Sequence, residues 1–197
     1  DMRRKALDAP KWGNDDNYVD EIFVYLFNTY CDFVKNGINY LAKPYDPSML
    51  AISTHTPFGK VTGATPDGRL AGVSLCDGVT SPFPGTDLNG PIATILSAAK
   101  VDHTKIRGGL HNMKFHPTAL KGISGSKKLL SLIKTYFDYL GFQLQFNVVD
   151  TKMLRDAQKN PDKYRDLIVR VAGFSAFFVE LSRSIQDQVI ERTELML

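Results

Sequence analysis

The sequence has few cysteines and no long hydrophobic segment. Its only two cysteines, Cys31 and Cys76, lie far apart and outside any CxxC pattern. The sequence therefore predicts free thiols in a reducing compartment, not a disulfide framework. No apolar run approaches the roughly 20 residues needed to cross a bilayer. The first ten residues also lack the apolar stretch of a signal peptide. We expect a cytoplasmic protein that does not bind a membrane.

A large excess of one charge is also missing. The chain has 24 basic and 21 acidic residues and a formal net charge of +3. Basic residues cluster only at 3–5 and 127–128, so no nucleic-acid partner is predicted. The remaining composition, 43% hydrophobic and 23% charged, is that of an ordinary globular protein. Because the sequence starts at Asp1 without an initiator methionine, we expect a fragment or a processed product.

Several catalytic and binding motifs are absent. Neither GxGxxG nor GxxxxGK[ST] occurs, so nucleotide binding is not expected. Residues 122–125, Gly-Ile-Ser-Gly, are one residue short of the GxSxG nucleophile elbow. The spacings of the histidines match no compact ligand motif, so we predict no metal site. The histidines are His55, His103, His111 and His116.

The apolar residues that are present follow helical and strand spacings in turn, which predicts an α/β fold. The predicted helices cover 17–36, 91–100, 126–140, 151–160 and 183–192. Alternation predicts a strand over 142–149, and a short apolar run predicts another over 167–171. The stretch 44–90 is rich in glycine and proline and has no periodicity, which is typical of a functional loop or a linker.

The residue types at the predicted helix ends suggest particular caps and faces. Ser126, Thr151 and Ser182 are the expected N-caps of the last three helices. In the final helix, apolar residues are expected to face the core and charged ones the solvent. The first group is Ile185, Val189 and Ile190, and the second is Arg183, Asp187, Glu191 and Arg192.

Gly173 lies where apolar strand residues give way to a turn, in the sequence Arg-Val-Ala-Gly-Phe-Ser-Ala over 170–176. A glycine Cα has no side chain, so an unpaired electron there can delocalise over the flanking amide nitrogen and carbonyl. An isolated glycine at such a place can also simply adopt a positive φ in a turn. The heptapeptide alone favours the turn.

The surrounding sequence changes this interpretation. The segments QFNVVD (145–150), DLIVRVAGFSAFFVEL (166–181) and QDQVIERT (186–193) closely resemble the C-terminal segment of the glycyl radical enzymes. That family includes pyruvate formate-lyase and the diol dehydratases. Further blocks resemble the family in the same order: 2–20, 62–72 (TGATPDGRLAG) and 87–91 (DLNGP).

The resemblance implies roles for individual residues. Gly173 matches the glycine that stores the radical. The residues expected to support its loop are Arg170, Phe174, Ser175 and Gln186. The residues expected to line the substrate cavity are Thr54, His55, Pro91 and Ile92. In the block at 62–72, a tight turn is expected at 66–68. The planar guanidinium of Arg69 is expected to bind an anchoring carboxylate.

The resemblance also implies a fold. The chain should form the C-terminal part of a ten-stranded α/β barrel together with the glycyl radical loop domain. We expect residues 1–125 to close the barrel, with the long loop at 44–90, and residues 126–197 to form the glycine radical domain.

Some of the implied partners are not in this sequence. In the family, the glycyl radical takes a hydrogen from a cysteine on an opposed loop, and the resulting thiyl radical attacks the substrate. Neither Cys31 nor Cys76 lies in the Gly-Cys-Val-Glu type of context that surrounds that cysteine. The expected partners are therefore the rest of the barrel with the catalytic cysteine, a second copy in a homodimer, and an activase. The activase uses S-adenosylmethionine and an iron-sulfur cluster to install the radical.

The segments FSAFFVEL and QDQVIERT resemble the dehydratase branch, which implies a small-molecule substrate such as glycerol, propane-1,2-diol or a related hydroxylated compound. The family also leaves an arylacetate decarboxylase or a fumarate-adding succinate synthase open. An alternative of another class is a non-catalytic radical-carrying subunit or repair module that completes a partner. The complete enzyme should be anaerobic, and this chain alone should be inactive.

Overall fold

A computed structural model describes all residues, 1–197. The α-helices are α1 (Met2–Asp8), α2 (Asn17–Asn36), α3 (His55–Val61), α4 (Gly90–Ala99), α5 (Gly122–Asp138), α6 (Thr151–Lys159) and α7 (Arg183–Glu191). The strands are β1 (Asn112–Phe115), β2 (Gln145–Val148), β3 (Ile168–Arg170), β4 (Ser175–Phe177) and β5 (Glu194–Leu195). Short 3-10 helices cover His103–Lys105, Pro117–Leu120, Pro161–Tyr164 and Phe178–Glu180. None of the helices combines the length and the apolar character that a membrane span requires.

A three-stranded parallel sheet with the order β2-β1-β5 lies at the centre of the molecule. Asn112 lies opposite Gln145 on β2, and Phe115 lies opposite Leu195 on β5. All four residues of β1 are buried, as expected for the central strand of a sheet that is covered on both faces. Strands β3 and β4 form a separate antiparallel hairpin. Parallel strands surrounded by helices make the chain α/β, as the sequence predicts.

Two of the three buried hydrophobic clusters pack the helices against the strands. The first packs α4 and α5 against β1 and contains Ile95, Ala98, Met113, Phe115, Leu132, Tyr136 and Leu195. The second packs α6 and α7 against the β3–β4 hairpin and contains Val149, Leu154, Ala157, Val169, Phe178, Val189 and Ile190. Removal of these side chains from water is the main favourable term in the folding of such a domain. The hairpin is therefore fixed at its base by its own apolar residues.

Strand β1 is the central strand, and the sequence analysis missed it. Its pattern is unusual because Lys114 is buried in the middle of the sheet. The Lys114 Nζ donates to the carbonyl of Ile190 at 2.8 Å and to Thr151 Oγ1 at 3.1 Å. Burial lowers the pKa of Lys114 to about 8. A buried strand is normally recognised by a continuous apolar run. The lysine interrupts such a run in β1, so the sequence pattern does not predict the strand.

Two predicted N-caps, Ser126 and Thr151, were wrong. Helix α5 begins at Gly122, and Ser126 lies inside it, with its hydroxyl donating to the Gly122 carbonyl. The N-cap of α6 is Asp150, whose carboxylate accepts the backbone N–H of Lys152, and Thr151 is the first helical residue. Asp is a stronger N-cap than Thr, which explains why Asp150 takes this position in α6. Ser182 is at the N-cap of α7, although its side chain makes no capping hydrogen bond.

The long loop at 44–90 is not wholly irregular, because it contains α3. Gly59 of this helix passes so close to the chain at 73–74 that a Cβ would lie 2.4 Å from the Val73 carbonyl oxygen. The predicted domain boundary at 125/126 falls within α5, and the sheet joins β1 to strands from beyond it. The division into two domains stays a prediction.

Candidate functional site

The β3–β4 hairpin presents Gly173 at its turn. Arg170 and Ser175 form the last pair of the hairpin, and the N–H of Val171 donates to the Phe174 carbonyl at 2.9 Å. Gly173 is exposed and has a φ of +82°. A Cβ added there would meet only Leu110, at 3.9 Å, which is an ordinary contact. The backbone conformation, not a lack of space, therefore favours glycine at this position.

Two side-chain amides of β2, those of Gln145 and Asn147, bind the backbone of the turn. Gln145 Oε1 accepts the N–H of Gly173 at 3.0 Å and the Nε–H of Arg170 at 3.2 Å. Asn147 accepts the backbone N–H of Arg170 and donates to its carbonyl, both at 2.7 Å. Residues two apart on a strand share a face, which places both amides under the turn. Both residues belong to the QFNVVD segment and were not among the predicted site residues.

Arg192, the residue directly after α7, holds the same turn, and its predicted position on the solvated face was wrong. Its side chain is buried and donates to the carbonyls of Arg170 at 3.0 Å and Val171 at 2.6 Å. It also forms an ion pair with the buried Asp77 at 2.6 Å. Burial lowers the pKa of Arg192, and the Asp77 carboxylate opposes that shift. Helix α7 ends at Glu191, so helical spacing no longer describes where the next side chain points.

The predicted loop-support residues lie on or near the turn. The Arg170 guanidinium donates to Ser175 Oγ at 3.2 Å and reaches the Gly173 carbonyl at 3.5 Å. Gln186 is buried and donates to the Phe178 carbonyl at 2.9 Å, which fixes the chain just after the hairpin. Phe174 is partly exposed beside Gly173. Their roles in radical storage stay predictions.

The structure does not bring the four predicted substrate-lining residues together. Thr54 and His55 line a cavity of about 760 Å³ between α2, α3 and the loop at 75–86. Pro91 and Ile92 line a different cavity of about 560 Å³ between α4 and α5. Gly173 lines neither cavity.

The first cavity contains an unusual histidine. His55 is 2% exposed, and neither of its ring nitrogens has a hydrogen-bond partner. Burial lowers the pKa of His55, although Asp77 nearby opposes the shift. Cys76 also lines this cavity, and burial raises its pKa to about 12. The cavity is therefore lined by a neutral imidazole and an uncharged thiol.

One cluster of potential metal ligands joins residues that the sequence keeps far apart. The ligand atoms of His116, Asp150 and Glu194 lie within 4.8 Å of one another. However, His116 Nδ1 accepts the backbone N–H of Thr118, so a neutral imidazole carries its proton on Nε2. His116 Nε2 lies 3.7 Å from Glu194 Oε1, which is beyond hydrogen-bond distance. The other Glu194 oxygen accepts the N–H of Thr151 at the start of α6. His116 therefore caps the 3-10 helix at Pro117–Leu120, and Glu194 accepts a backbone hydrogen bond at the start of α6.

Arg69 does not bind a carboxylate, so this expectation was wrong. Its buried guanidinium donates to backbone carbonyls of its own loop, including Val73 at 2.6 Å and Leu70 at 3.1 Å. Its Nε donates to Thr65 Oγ1 at 3.2 Å. Gly68, in the turn before it, has a φ of +98°, as expected for the Pro-Asp-Gly turn. The block therefore organises the loop backbone.

Comparisons with known proteins agree on the family. The glycine radical family model matches residues 77–179, and the pyruvate formate lyase-like model matches residues 1–59. The chain is 53% identical to indoleacetate decarboxylase of Tractidigestivibacter scatoligenes and 45% identical to trans-4-hydroxy-L-proline dehydratase of Clostridioides difficile. These alignments cover 98% and 94% of this chain, but only 22% and 23% of the two relatives.

A solved structure shows the same fold. The chain superposes on the glycerol-bound B12-independent glycerol dehydratase of Clostridium butyricum with a TM-score of 0.96 and 47% identity. The match covers 100% of this chain and 25% of that structure, so the chain spans about a quarter of its length. The chain therefore belongs to the glycyl radical enzymes, and it has the α/β fold of their C-terminal portion with the glycine radical domain.

Proposed function

We propose that this chain is the radical-storing portion of a glycyl radical lyase and that Gly173 carries the radical. The observation that carries the proposal is the geometry of the turn. Gly173 has a positive φ at an exposed tip, while Gln145, Asn147 and Arg192 hold the backbone around it. Such a site keeps the glycine Cα accessible and its two peptide groups in fixed positions.

The chemistry of radical storage matches this arrangement. Removal of one hydrogen atom from the Gly173 Cα leaves a carbon that can flatten, because no side chain opposes it. The unpaired electron then spreads over the flanking amide nitrogen and carbonyl. In the family, the hydrogen atom is taken by an activase that uses S-adenosylmethionine and an iron-sulfur cluster. The exposed turn gives such an activase access to the Cα in this chain.

Turnover requires groups beyond those that the structure brings to Gly173. Cys31 is buried in α2, and Cys76 lines the cavity beside His55, so neither thiol is at the hairpin. We propose that the catalytic cysteine comes from the rest of a barrel of the relatives' length, with a homodimer as the complete assembly. The cytoplasmic location stays a prediction from the sequence.

The reaction class has two candidates. The sequence predicts a dehydratase of a small hydroxylated compound, and the 47% identity to glycerol dehydratase supports it. The 53% identity to indoleacetate decarboxylase favours decarboxylation of an arylacetate as the second candidate. Both reactions eliminate a group from a substrate radical, so one radical store serves either of them.

An anaerobic experiment tests the radical site. The chain is incubated with S-adenosylmethionine and an activase that is shown to work on its own enzyme. Electron paramagnetic resonance should show a glycyl doublet, and admission of air should then cleave the chain at Gly173. The matched control is Gly173→Ala, which keeps the chain length but should give neither the doublet nor the cleavage. Circular dichroism checks that the variant folds.

Absence of both doublet and cleavage from the wild-type chain would contradict the proposal. For the reaction class, the activated protein with its catalytic cysteine is assayed against glycerol, propane-1,2-diol and indoleacetate. Aldehyde formation supports the dehydratase, and release of carbon dioxide from indoleacetate supports the decarboxylase.

A further inference from the structure

Gln145 is the residue whose side chain binds the backbone amide of Gly173. Its Oε1 accepts the Gly173 N–H at 3.0 Å, and its Nε2 donates to Asn112 Oδ1 on β1. Gln145 is 6% exposed. Because both ends of the side-chain amide are bonded, its oxygen is held towards the turn. The direction of the Gly173 N–H, and hence the plane of the peptide between 172 and 173, depends on this contact.

Gln145 also reaches the other side of Gly173 through Arg170. The same Oε1 accepts Arg170 Nε–H at 3.2 Å, and the Arg170 guanidinium extends to the Gly173 carbonyl at 3.5 Å. The other two buried side chains at the turn act at a greater distance. Asn147 and Arg192 bind the backbone of residues 170 and 171, not the groups bonded to the Gly173 Cα.

The orientation of these groups matters for a carbon-centred radical. An unpaired electron on a glycine Cα spreads onto the amide nitrogen only when the amide plane aligns with the plane of the radical carbon. An acceptor on the N–H both holds that plane and polarises the amide, so that its nitrogen donates electron density more readily. The acceptor is buried, where hydrogen bonds are least disturbed by water.

We propose that Gln145 is a positioning residue that orients the Gly173 amide and thereby sets how the unpaired electron is shared between the Cα and the amide nitrogen. This inference rests on the proposed role of Gly173 as the radical site. It assigns Gln145 no direct chemistry, since its side chain contacts the amide and not the Cα–H bond.

The test compares three variants of the activated chain. Gln145→Met keeps the approximate length of the side chain and removes the acceptor, whereas Gln145→Glu keeps an acceptor oxygen. Gln158→Met is the matched control, because this half-buried glutamine donates to Asp187 Oδ1 at 2.7 Å and makes no hydrogen bond to the Gly173 turn. Electron-nuclear double resonance in H₂O and D₂O measures the coupling of the radical to the exchangeable Gly173 amide proton.

We expect one sharp amide-proton coupling in the wild-type chain and in Gln158→Met, even where the latter has a lower radical yield. Gln145→Met should shift and broaden this coupling, and Gln145→Glu should restore a sharp line. If Gln145 only stabilised the fold, its replacement would lower the radical yield without changing the coupling to the Gly173 amide proton. Unchanged coupling in Gln145→Met would therefore overturn the proposal.

Gln145→Asn repeats the test if the methionine variant does not fold. It keeps an amide, but the side chain is one methylene too short to hold the same contact, so the same shift is expected and an unchanged coupling overturns the proposal. A missing doublet in the wild-type chain contradicts the role of Gly173 itself. A normal doublet with unchanged coupling in the variants contradicts only the role of Gln145.

Discussion

Around the Gly173 turn, polar side chains are buried, and on the outer face of α2, apolar side chains are exposed. Gln145, Asn147 and Arg192 are 5–7% exposed, and each makes at least two hydrogen bonds to its surroundings. On α2 the solvent-facing residues include Tyr18, Ile22, Tyr25, Leu26 and Phe33. Phe33 is 80% exposed.

The two regions differ in whether the chain itself compensates an arrangement that is unfavourable in isolation. Buried polar groups are tolerated when their partners are in place, and around Gly173 the chain supplies those partners itself. An extended apolar surface is unfavourable in water and is typical of a contact with another protein surface. If the rest of the proposed barrel is present, we expect it to pack on this exposed face of α2.

The largest expected effect concerns the ion pair of Arg192. Replacement of Arg192 by Met leaves the buried Asp77 charge without its partner and the carbonyls at 170 and 171 without a donor. We expect the free energy of unfolding to fall by about 3–5 kcal/mol in urea denaturation. Arg183→Met is the control, because Arg183 is largely exposed and pairs with Asp187 on the surface, where such pairs contribute about 0–1 kcal/mol. Equal losses in the two variants would contradict the contrast between buried and exposed positions.

A smaller effect is expected from protonation of His111, which is fully buried and bonded to Thr80 Oγ1 through Nδ1. Burial lowers its pKa to about 4. The unfolded chain therefore takes up this proton as the pH falls below about 6.5, while the folded chain resists it until about pH 4. Between pH 7.5 and 5, this residue should remove about 2 kcal/mol from the free energy of unfolding.

The check is urea denaturation at both pH values for the wild-type chain and for His111→Asn, whose side chain can keep the bond to Thr80. The asparagine variant should lose about 2 kcal/mol less than the wild type over this pH range. An equal pH dependence of the two proteins would show that the interior at His111 is open to protons.

The smallest effect is expected on the outer face of α2. Phe33→Ser should change the free energy of unfolding by less than about 0.5 kcal/mol, because the ring is mostly in water. It should also reduce self-association of the chain, measured by sedimentation velocity. The control on the same helix is Phe27→Ser, whose ring is 3% exposed and whose loss should cost about 3–5 kcal/mol. A large loss in Phe33→Ser would mean that this face is already covered within the chain.

Regular helices were the part of the fold that the sequence predicted best. Helix α2 has the predicted bounds, and Asp16 and Gly37 lie at its two caps. The apolar spacing and the end residues agree there, so local physics is sufficient. Pro91 likewise lies in the first turn of α4, as predicted.

The residues that hold Gly173 could not be found in the same way. Gln145 and Asn147 lie on the polar side of an alternating strand, which usually faces water, and here it faces the hairpin. Lys114 and Arg192 carry charges that composition alone would place on the surface. Their partners are distant in the sequence; Arg192, for example, pairs with Asp77. The spacing of residues along the chain does not predict such pairs.

The position of β5 in the sheet has a consequence for how the protein is made. The central strand β1 receives one of its two neighbours from residues 194–195, and the Gly173 turn receives Arg192 from the same short segment. During synthesis, Gly173 is therefore added before Arg192 and β5, the residues that fix its turn and complete the sheet. A chain that stops before residue 192 would lack both Arg192 and β5, so the turn and the sheet would each lose a partner.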